Sequence, residues 1–350
     1  GGGSGKGARA KTVKTEPGTK KEDGGGDDKR DVYMAQDAKG NAVERAKAKE
    51  PKGWREIYDL VLELRKERDA PVDWAGSESL GTNQESGEVN EYHTLIALML
   101  SSQTKDQVVA EAMQNLKDSP GGLTPESVLA MTDEELKGYI FKVGFHNNKT
   151  KYIKQAAQIL IDEHGGKVPR TAKELTALPG IGPKMAYIIL KVAYNVVDGI
   201  GVDTHMHRIF NVLGWVSSKQ PEQTRVQLES WLPREEWDVV NVLFVGFGQM
   251  TQQPVHRAQL MRRSIDSSQP EAALKLVNRL GADTSAADPE TGETPLMYAA
   301  KRGNEAAVKV LLNPPMRVKK EAVNREGETA YDVAVKAKHM EIAMLIGPPK

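Results

Sequence analysis

Lys184 and Asp203 are the two residues of this sequence whose types and spacing best suit covalent chemistry. Lys184 lies in the first turn of a predicted helix, directly after Gly180 and Gly182, and Asp203 follows 19 residues later. The first N–H groups of a helix lack intrahelical acceptors, so a helix that begins on glycine can hold a phosphate. A lysine there becomes a nucleophile if its surroundings favour the neutral amine. The alternative is an ordinary helix hairpin with a solvated lysine and an aspartate that caps the next helix.

Amphipathic helices must position these residues. Apolar side chains recur at i, i+3, i+4 and i+7, and Thr132 with Glu135 forms a capping-box pattern. The predicted helices lie around 54–62, 94–100, 108–116, 152–161, 205–213, 221–231 and 235–245, and two more begin at Thr132 and Thr171. Residues 71–90, rich in Gly, Ser and Asn, are predicted to be a loop. No convincing alternating strand pattern occurs, so an all-α fold is expected.

Composition excludes several classes of protein. The 350-residue chain has 48 Lys and Arg against 48 Asp and Glu, so its net charge neither favours nor excludes a nucleic-acid partner. It has no cysteine, which excludes disulfides and cysteine-ligated metals, and no apolar run long enough to span a membrane. We therefore expect a soluble intracellular protein. Residues 1–50 are predicted to be a disordered tail, and Gly1 indicates a chain that can be a fragment.

The last third of the chain carries a repeat. Residues 292–312 and 327–346 share a Gly-Glu-Thr start and an apolar helical continuation, 35 residues apart, and 271–283 resembles the end of an earlier copy. This pattern resembles ankyrin repeats, which have a period of about 33 residues. Such arrays usually bind proteins, and a purely structural cap is the alternative. With two and a half copies, the array is expected to lean on the preceding domain.

The hairpin resembles the helix–hairpin–helix of DNA repair glycosylases. Further motifs, in order along the chain from Trp54 to Arg262, are similar to the endonuclease III family, and especially to its eukaryotic thymine-glycol-type members. The motifs are LMLSSQTKD (98–106), VGFHNNKTKYI (143–153), LPGIGPKMA (178–186), VDTHMHRI (202–209), WLPREEW (231–237) and LFVGFGQMT (243–251). The resemblance implies a two-lobed helical fold that binds double-stranded DNA.

The resemblance also implies roles for particular residues. Lys184 corresponds to the lysine that attacks C1′ of the damaged nucleotide and forms a Schiff base, which permits β-elimination. Asp203 corresponds to the aspartate that stabilises the cationic sugar or moves protons, and His205 to a residue that orders the pocket. The amides of Gly180 and Gly182 would bind a DNA phosphate.

An enzyme that acts on a base within a duplex must extrude the nucleotide. By resemblance, Gln103 would fill the vacated space, and Phe145 would insert as a wedge between bases. Lys149 would contact a phosphate. Without the resemblance, these residues would be a polar residue at a helix end, a core aromatic and a solvated lysine. His205 and His207 lack the i, i+4 spacing of metal ligands, so no metal site is predicted.

The chain departs from the family at the iron–sulfur cluster. The four cysteine positions of cluster-bearing members correspond here to Gln252, Gln259, Arg262 and Ser268, none of which ligates iron as thiolate does. No cofactor is therefore expected. The presentation of the basic residues that the cluster normally shapes is left open.

The predicted protein is thus a bifunctional glycosylase and abasic-site lyase for oxidised pyrimidines, acting in base excision repair. Its predicted parts are a tail (1–50), a glycosylase (51–268) and ankyrin repeats (269–350). The glycosylase divides into a six-helix barrel, about 91–200, and a second lobe, 51–70 plus 201–268. The alternatives are a monofunctional adenine glycosylase and a catalytically decayed DNA-binding scaffold. We expect a monomer with an unknown protein partner for the repeats, no membrane association, and a nuclear location with the mitochondrion as a second site.

Overall fold

The computed structural model describes residues 32–36, 42–75, 90–316 and 318–349. Most of the predicted tail lies outside these residues. Two segments within it, however, pair as antiparallel strands, β1 (Val32–Gln36) and β2 (Ala42–Ala46), so the prediction of a wholly disordered tail is wrong there. The physical reason is that Val and Tyr favour extended backbone, and the lysine-rich and glycine-rich composition of the rest of the tail masked this short pattern.

The first lobe is a bundle of seven helices that follow one another in the chain. They are α3 (Glu91–Ser101), α4 (Asp106–Lys117), α5 (Pro125–Ala130), α6 (Asp133–Tyr139), α7 (His146–His164), α8 (Ala172–Ala177) and α9 (Pro183–Tyr194). Helix α3 is buried on all sides from Thr94 to Leu100, which explains its continuous apolar sequence. The capping box predicted at Thr132 is present.

The second lobe combines two segments that are distant in the sequence. Its helices are α1 (Trp54–Leu64), α2 (Pro71–Ala75), α10 (Thr204–Leu213), α11 (Pro221–Glu229), α12 (Trp237–Gln252) and α13 (Pro254–Asp266), with a 3-10 turn at Arg234–Glu236. Helix α2 corrects the prediction of a loop over 71–90. Its first residue is a proline, whose fixed φ suits the start of a helix.

The repeats follow as α14 (Pro270–Arg279), α15 (Pro295–Arg302), α16 (Glu305–Leu312), α17 (Ala330–Lys336) and α18 (Met340–Ile346). Thr294 and Thr329 form capping boxes at equivalent positions of two copies. Gly303, with φ +71°, lets the next copy approach, because a Cβ there would lie 2.7 Å from the His339 ring. The predicted repeat and the all-α fold are confirmed, apart from the short β1–β2 hairpin.

Two hydrophobic cores hold the described residues together. One comprises buried side chains from Tyr92 to Leu190 and belongs to the first lobe. The other is continuous from Trp54 through α10 to α13 and on to Ile346 in the repeats. The predicted boundary at 268/269 therefore separates two sequence patterns but not two cores. Within the described residues, no helix is both long and apolar enough to cross a membrane.

Candidate active site

The turn between α8 and α9 presents the predicted phosphate seat. Gly180 has φ +83°, and a Cβ there would come within 3.1 Å of the Tyr152 ring, so packing and backbone conformation both require glycine. Gly182 is the N-cap of α9, and space around its Cβ position is open. Pro183 occupies the first helical position, where its missing N–H costs nothing. The turn therefore leaves space at the start of α9, and the phosphate contact there stays a prediction.

Lys184 and Asp203 lie side by side, and the two oxygens of Asp203 have different partners. Oδ1 accepts a hydrogen bond from the backbone N–H of Met206 at 2.8 Å, which caps α10. Oδ2 lies 4.0 Å from Nζ of Lys184. One carboxylate oxygen therefore caps α10 while the other faces the lysine. The capping alternative and the chemical role of Asp203 are thus compatible. Capping also fixes the direction in which Oδ2 points.

The loop before Asp203 is held tightly against α9. A Cβ on Gly201 would lie 3.0 Å from the Ile188 side chain and 3.2 Å from the backbone oxygen of Lys184. The backbone N–H of Ile200 donates to the buried carboxylate of Glu229 at 2.8 Å. Burial raises the pKa of Glu229, while its bonds to Arg225 and to Ile200 oppose that rise. Backbone contact thus sets the separation between the lysine and the aspartate.

The side chain of Lys184 is 43% exposed, and that of Asp203 is 12% exposed. Lys184 is therefore only partly buried in the free protein. The lysine lies at the edge of an open cleft, where water reaches its ammonium group. Removal of that water must come from whatever fills the cleft.

His205 is packed against α12, where a Cβ on Gly248 would lie 2.8 Å from the Cβ of His205. Burial lowers the pKa of His205, the Asp203 carboxylate raises it, and Arg208 and Lys184 lower it further. His205 is accordingly neutral near pH 7 and occupies a fixed position beside Asp203, as a pocket-ordering residue would. His207 points elsewhere and bonds to Thr224 at 2.7 Å. Among the described residues, no group of three or more His, Cys, Asp or Glu side chains could hold a metal ion.

Asp106 is a site residue that the sequence reasoning missed. It begins α4 on the opposite lobe and accepts a hydrogen bond from Gln249 Nε2 at 3.3 Å, while Gln249 Oε1 accepts from the backbone of Val72. Burial raises the pKa of Asp106, and Gln249, Lys184 and His205 oppose that rise. The signal was available, since Asp106 closes the SSQTKD motif, but its distance from Lys184 in sequence concealed its proximity.

These residues line one cleft between the two lobes, of about 860 Å³. The first lobe contributes Lys184, Gln103 and Asp106, and the second contributes Asp203 and His205. A cleft with an exposed amine, two carboxylates and a neutral imidazole can perform nucleophilic addition with proton transfer.

Gln103 lines this cleft, and Phe145 lies on the loop that contacts Gln103 through Gly144. Both residues are exposed and have left-handed backbone conformations, with φ of 51° and 56°. The Phe145 side chain is 60% exposed, so the core-aromatic alternative is wrong. Lys149 is only 5% exposed and donates to Leu100 O, Ser102 O and Thr104 Oγ1. The predicted phosphate contact for Lys149 is therefore corrected, because its donors are occupied within the protein.

The positions that would correspond to cluster cysteines are spread along helical structure. Gln252 ends α12, Gln259 and Arg262 lie within α13, and Ser268 follows it. Arg262 pairs with Asp288 of the repeats at 2.9 Å, and Ser268 bonds through its backbone and hydroxyl to Glu63. None of the four side chains is a thiolate, so they do not fit an iron–sulfur cluster.

Two other arginines of this segment are also engaged within the protein. Arg263 pairs with Asp69 at 2.5 Å, and Arg257 donates to the backbone of Gln252. The basic residues of this segment, whose presentation the sequence left open, are therefore directed to protein acceptors.

Comparison with known proteins gives two matches along the chain. Residues 96–234 match the HhH-GPD superfamily base excision DNA repair protein family, and 260–347 match ankyrin repeats, in three copies. Endonuclease III-like protein 1 of Gallus gallus is 49% identical over 209 residues, covering 59% of this chain and 74% of that protein. The Mus musculus protein of the same name is 49% identical over 209 residues, covering 59% and 69%. A solved non-covalent Endonuclease III–DNA complex matches with a TM-score of 0.46 and 30% identity over 55% of this chain and 84% of that one.

Proposed function

Because this chain belongs to the endonuclease III-like family, and is a DNA glycosylase and abasic-site lyase of base excision repair, we propose that it removes oxidised pyrimidines through a Schiff base on Lys184. The observation that carries the proposal is the placement of Lys184 Nζ 4.0 Å from Asp203 Oδ2 at the mouth of the interlobe cleft. The sequence-based assignments of family, activity and repeat module are confirmed by the comparisons.

The chemistry follows from the properties of these groups. The neutral amine of Lys184 adds to C1′ of the nucleotide, the bond to the base breaks, and loss of the ring oxygen bond gives an iminium ion on the sugar. That iminium acidifies the neighbouring C2′ hydrogen, so the 3′ phosphate leaves by β-elimination. Asp203 stabilises positive charge on the sugar and accepts or returns protons through Oδ2.

DNA itself supplies the desolvation that the free protein lacks. A nucleotide that enters the cleft would displace water from Lys184, which disfavours its charged form. The start of α9 acts in the same direction, because its positive end opposes a nearby cation. The carboxylate of Asp203 acts in the opposite direction until it accepts a proton. Lesion binding would therefore activate the lysine only when the cleft is filled.

Borohydride trapping tests the nucleophile. Wild-type protein mixed with a duplex that contains thymine glycol or an abasic site should give a covalent complex after reduction. Lys184→Gln should give none, and Lys191→Gln, two turns further along the same helix, should behave as wild type. Trapping by Lys184→Gln would refute the assignment. Base release without trapping by the wild type would indicate a monofunctional glycosylase, and binding without base release would indicate a decayed scaffold.

The repeats and the cellular location extend the proposal. We infer that the repeats bind a protein partner, because α18 has an exposed apolar surface that includes Met344, 73% exposed, and Met340. The alternative, a purely structural cap, is supported by the core that the repeats share with the second lobe. We further infer a monomer that acts on double-stranded DNA in the nucleus, with the mitochondrion as a second site and no cofactor.

A further inference from the structure

Two exposed side chains beside the cleft are held on strained backbone. Gln103 and Phe145 have φ of 51° and 56°, a conformation that non-glycine residues rarely adopt and that persists only where the surroundings impose it. Gln103 follows α3, and Phe145 is the N-cap of α7. Strain at two exposed positions indicates that their directions matter more than the local stability they sacrifice.

The two loops contact each other through their backbones. A Cβ on Gly144 would lie 2.6 Å from the backbone oxygen of Gln103, so no side chain could fit there. The backbone N–H of Gly144 donates to Thr104 Oγ1 at 3.1 Å. The loop of Gln103 and the loop of Phe145 therefore pack rigidly against each other. The sequence of either loop alone does not predict this contact.

Lys149 holds these two loops together through hydrogen bonds. Its ammonium group donates to Leu100 O at 2.6 Å, to Ser102 O at 2.6 Å and to Thr104 Oγ1 at 3.2 Å, which uses all three of its protons. Lys149 lies one turn into α7, the helix that begins directly after Phe145. The helix that carries one exposed residue thus holds the loop that carries the other.

Burying an ammonium group costs free energy because the group loses its hydration. Lys149 is 5% exposed, and burial lowers its pKa to about 8. An apolar residue would pack at lower cost unless the three acceptors needed a donor at this point. Two of those acceptors are carbonyls at the end of α3, so capping of that helix is the simpler explanation. Capping alone, however, does not account for the hydrogen bond from Lys149 to Thr104 Oγ1, which also accepts a hydrogen bond from the backbone N–H of Gly144.

We propose that Lys149 is a positioning residue that locks Gln103 and Phe145 at a fixed separation, so that both enter the duplex together when a nucleotide is extruded. This inference rests on the proposed function, in which Gln103 fills the vacated space and Phe145 separates neighbouring bases. Lys149 touches neither DNA nor the reacting atoms. It acts through the loop, and its loss should affect only substrates that require insertion.

Single-stranded and duplex abasic DNA distinguish this role from a structural one. A single strand has no orphaned base to pair and no opposite stack to separate. Lys149→Met should slow Schiff-base formation on the duplex by roughly 10²-fold, the scale expected for misplacement by about 1 Å. It should leave the rate on the single strand unchanged. Lys151→Met, an exposed lysine on the same helix, is the matched control and should leave both rates unchanged.

The outcomes separate the two proposals. If Lys149→Met lowered the rate equally on both substrates, Lys149 would contribute to general stability and the positioning role would be overturned. An unchanged rate on both substrates would also overturn the positioning role. If wild-type protein forms no adduct with either substrate, the proposed function itself fails.

Two further variants keep the proposal testable if Lys149→Met does not fold, and they test whether Lys149 acts through the loop of Gln103. Thr104→Val keeps the shape of the side chain but removes the acceptor for Lys149 and Gly144, so we expect a smaller loss that is again confined to the duplex. An undiminished duplex rate for Thr104→Val overturns the proposal even if Lys149→Met does not fold. In a double-mutant cycle, Lys149→Met should add little in a Gln103→Ala background, because it acts through the loop. Full additivity would show that Lys149 acts independently of Gln103.

Discussion

Replacing Asp203 by asparagine would separate the two roles of this carboxylate. Oδ1 accepts from Met206 N–H at 2.8 Å, and an amide oxygen can take that position, because Asn and Asp are about equal as N-caps. Oδ2 faces Lys184 at 4.0 Å, and the amide nitrogen that would replace it carries no negative charge and accepts no proton. The substitution therefore removes the charge next to the lysine and leaves the cap intact.

The magnitudes for the two roles differ enough to be measured apart. Loss of a positioned proton acceptor should slow base release about 10²- to 10⁴-fold, which corresponds to roughly 2.7–5.4 kcal/mol of activation free energy. Loss of the cap in Asp203→Ala should cost a further ~1 kcal/mol of folding stability. For a unit of this size that is about 2–4 °C in Tm. Asp203→Asn should retain the wild-type Tm.

The assay combines single-turnover excision, equilibrium binding to the same lesion duplex, and thermal unfolding of the wild type and both variants. Asp203→Asn should lose turnover far more than DNA affinity. If turnover and affinity fell in parallel, or if Asp203→Asn were as unstable as Asp203→Ala, Asp203 would be a structural cap and our reasoning would be refuted.

Three other predictions concern the surroundings of this pair. The pKa of Asp106 is raised in the folded state, so its ionisation opposes folding as pH rises through that pKa. At pH 7, Asp106→Asn should therefore unfold at a higher urea concentration than the wild type and should excise more slowly. A stability equal to or below that of the wild type would contradict this prediction. Gly201→Ala should cost about 1–3 kcal/mol through overpacking and should also slow excision, whereas Gly138→Ala, with open space around its Cβ position, should stabilise by about 0.5–1 kcal/mol in the same denaturation series. Deleting 269–350 should lower the Tm of the remaining chain by roughly 10 °C or more, since several kcal/mol of shared core are lost; an unchanged Tm would show that the repeats are a separate module.

Local patterns were sufficient to predict most of the fold. Helical periodicity and capping residues such as Thr132 and Thr171 act over a few residues, so the helices and the repeat could be predicted directly. The pairing of Lys184 with Asp203 followed from the family motif. The division of the two Asp203 oxygens between cap and lysine did not, because it depends on the direction of one side chain.

Tertiary contacts explain what the sequence could not predict. Lys149 lies on a helix face next to exposed residues, and only the approach of α3 from 47–49 residues earlier in the chain buries its ammonium group. Asp106 and Gln249 meet across the cleft although 143 residues separate them. The continuity of the repeats with the second lobe was equally hidden, since it requires the packing of α13 against α14 and α15. Sequence periodicity indicates which face is buried but not which element covers it.

The shared core has a consequence for synthesis on the ribosome. The first lobe is contiguous, so it can fold once residues up to Leu190 have emerged, whereas α1 must wait for α12 and α13, the second of which ends at Asp266. Synthesis from Leu190 to Asp266 takes about 4–15 s at the usual rate of elongation. During this time the apolar face of α1, with Trp54, Tyr58 and Val61, has no partner from the later helices. The glycosylase cleft is consequently completed only after α12 is made, and a ribosome that stops before it leaves Lys184 in place without the helix that packs against α10, which Asp203 caps.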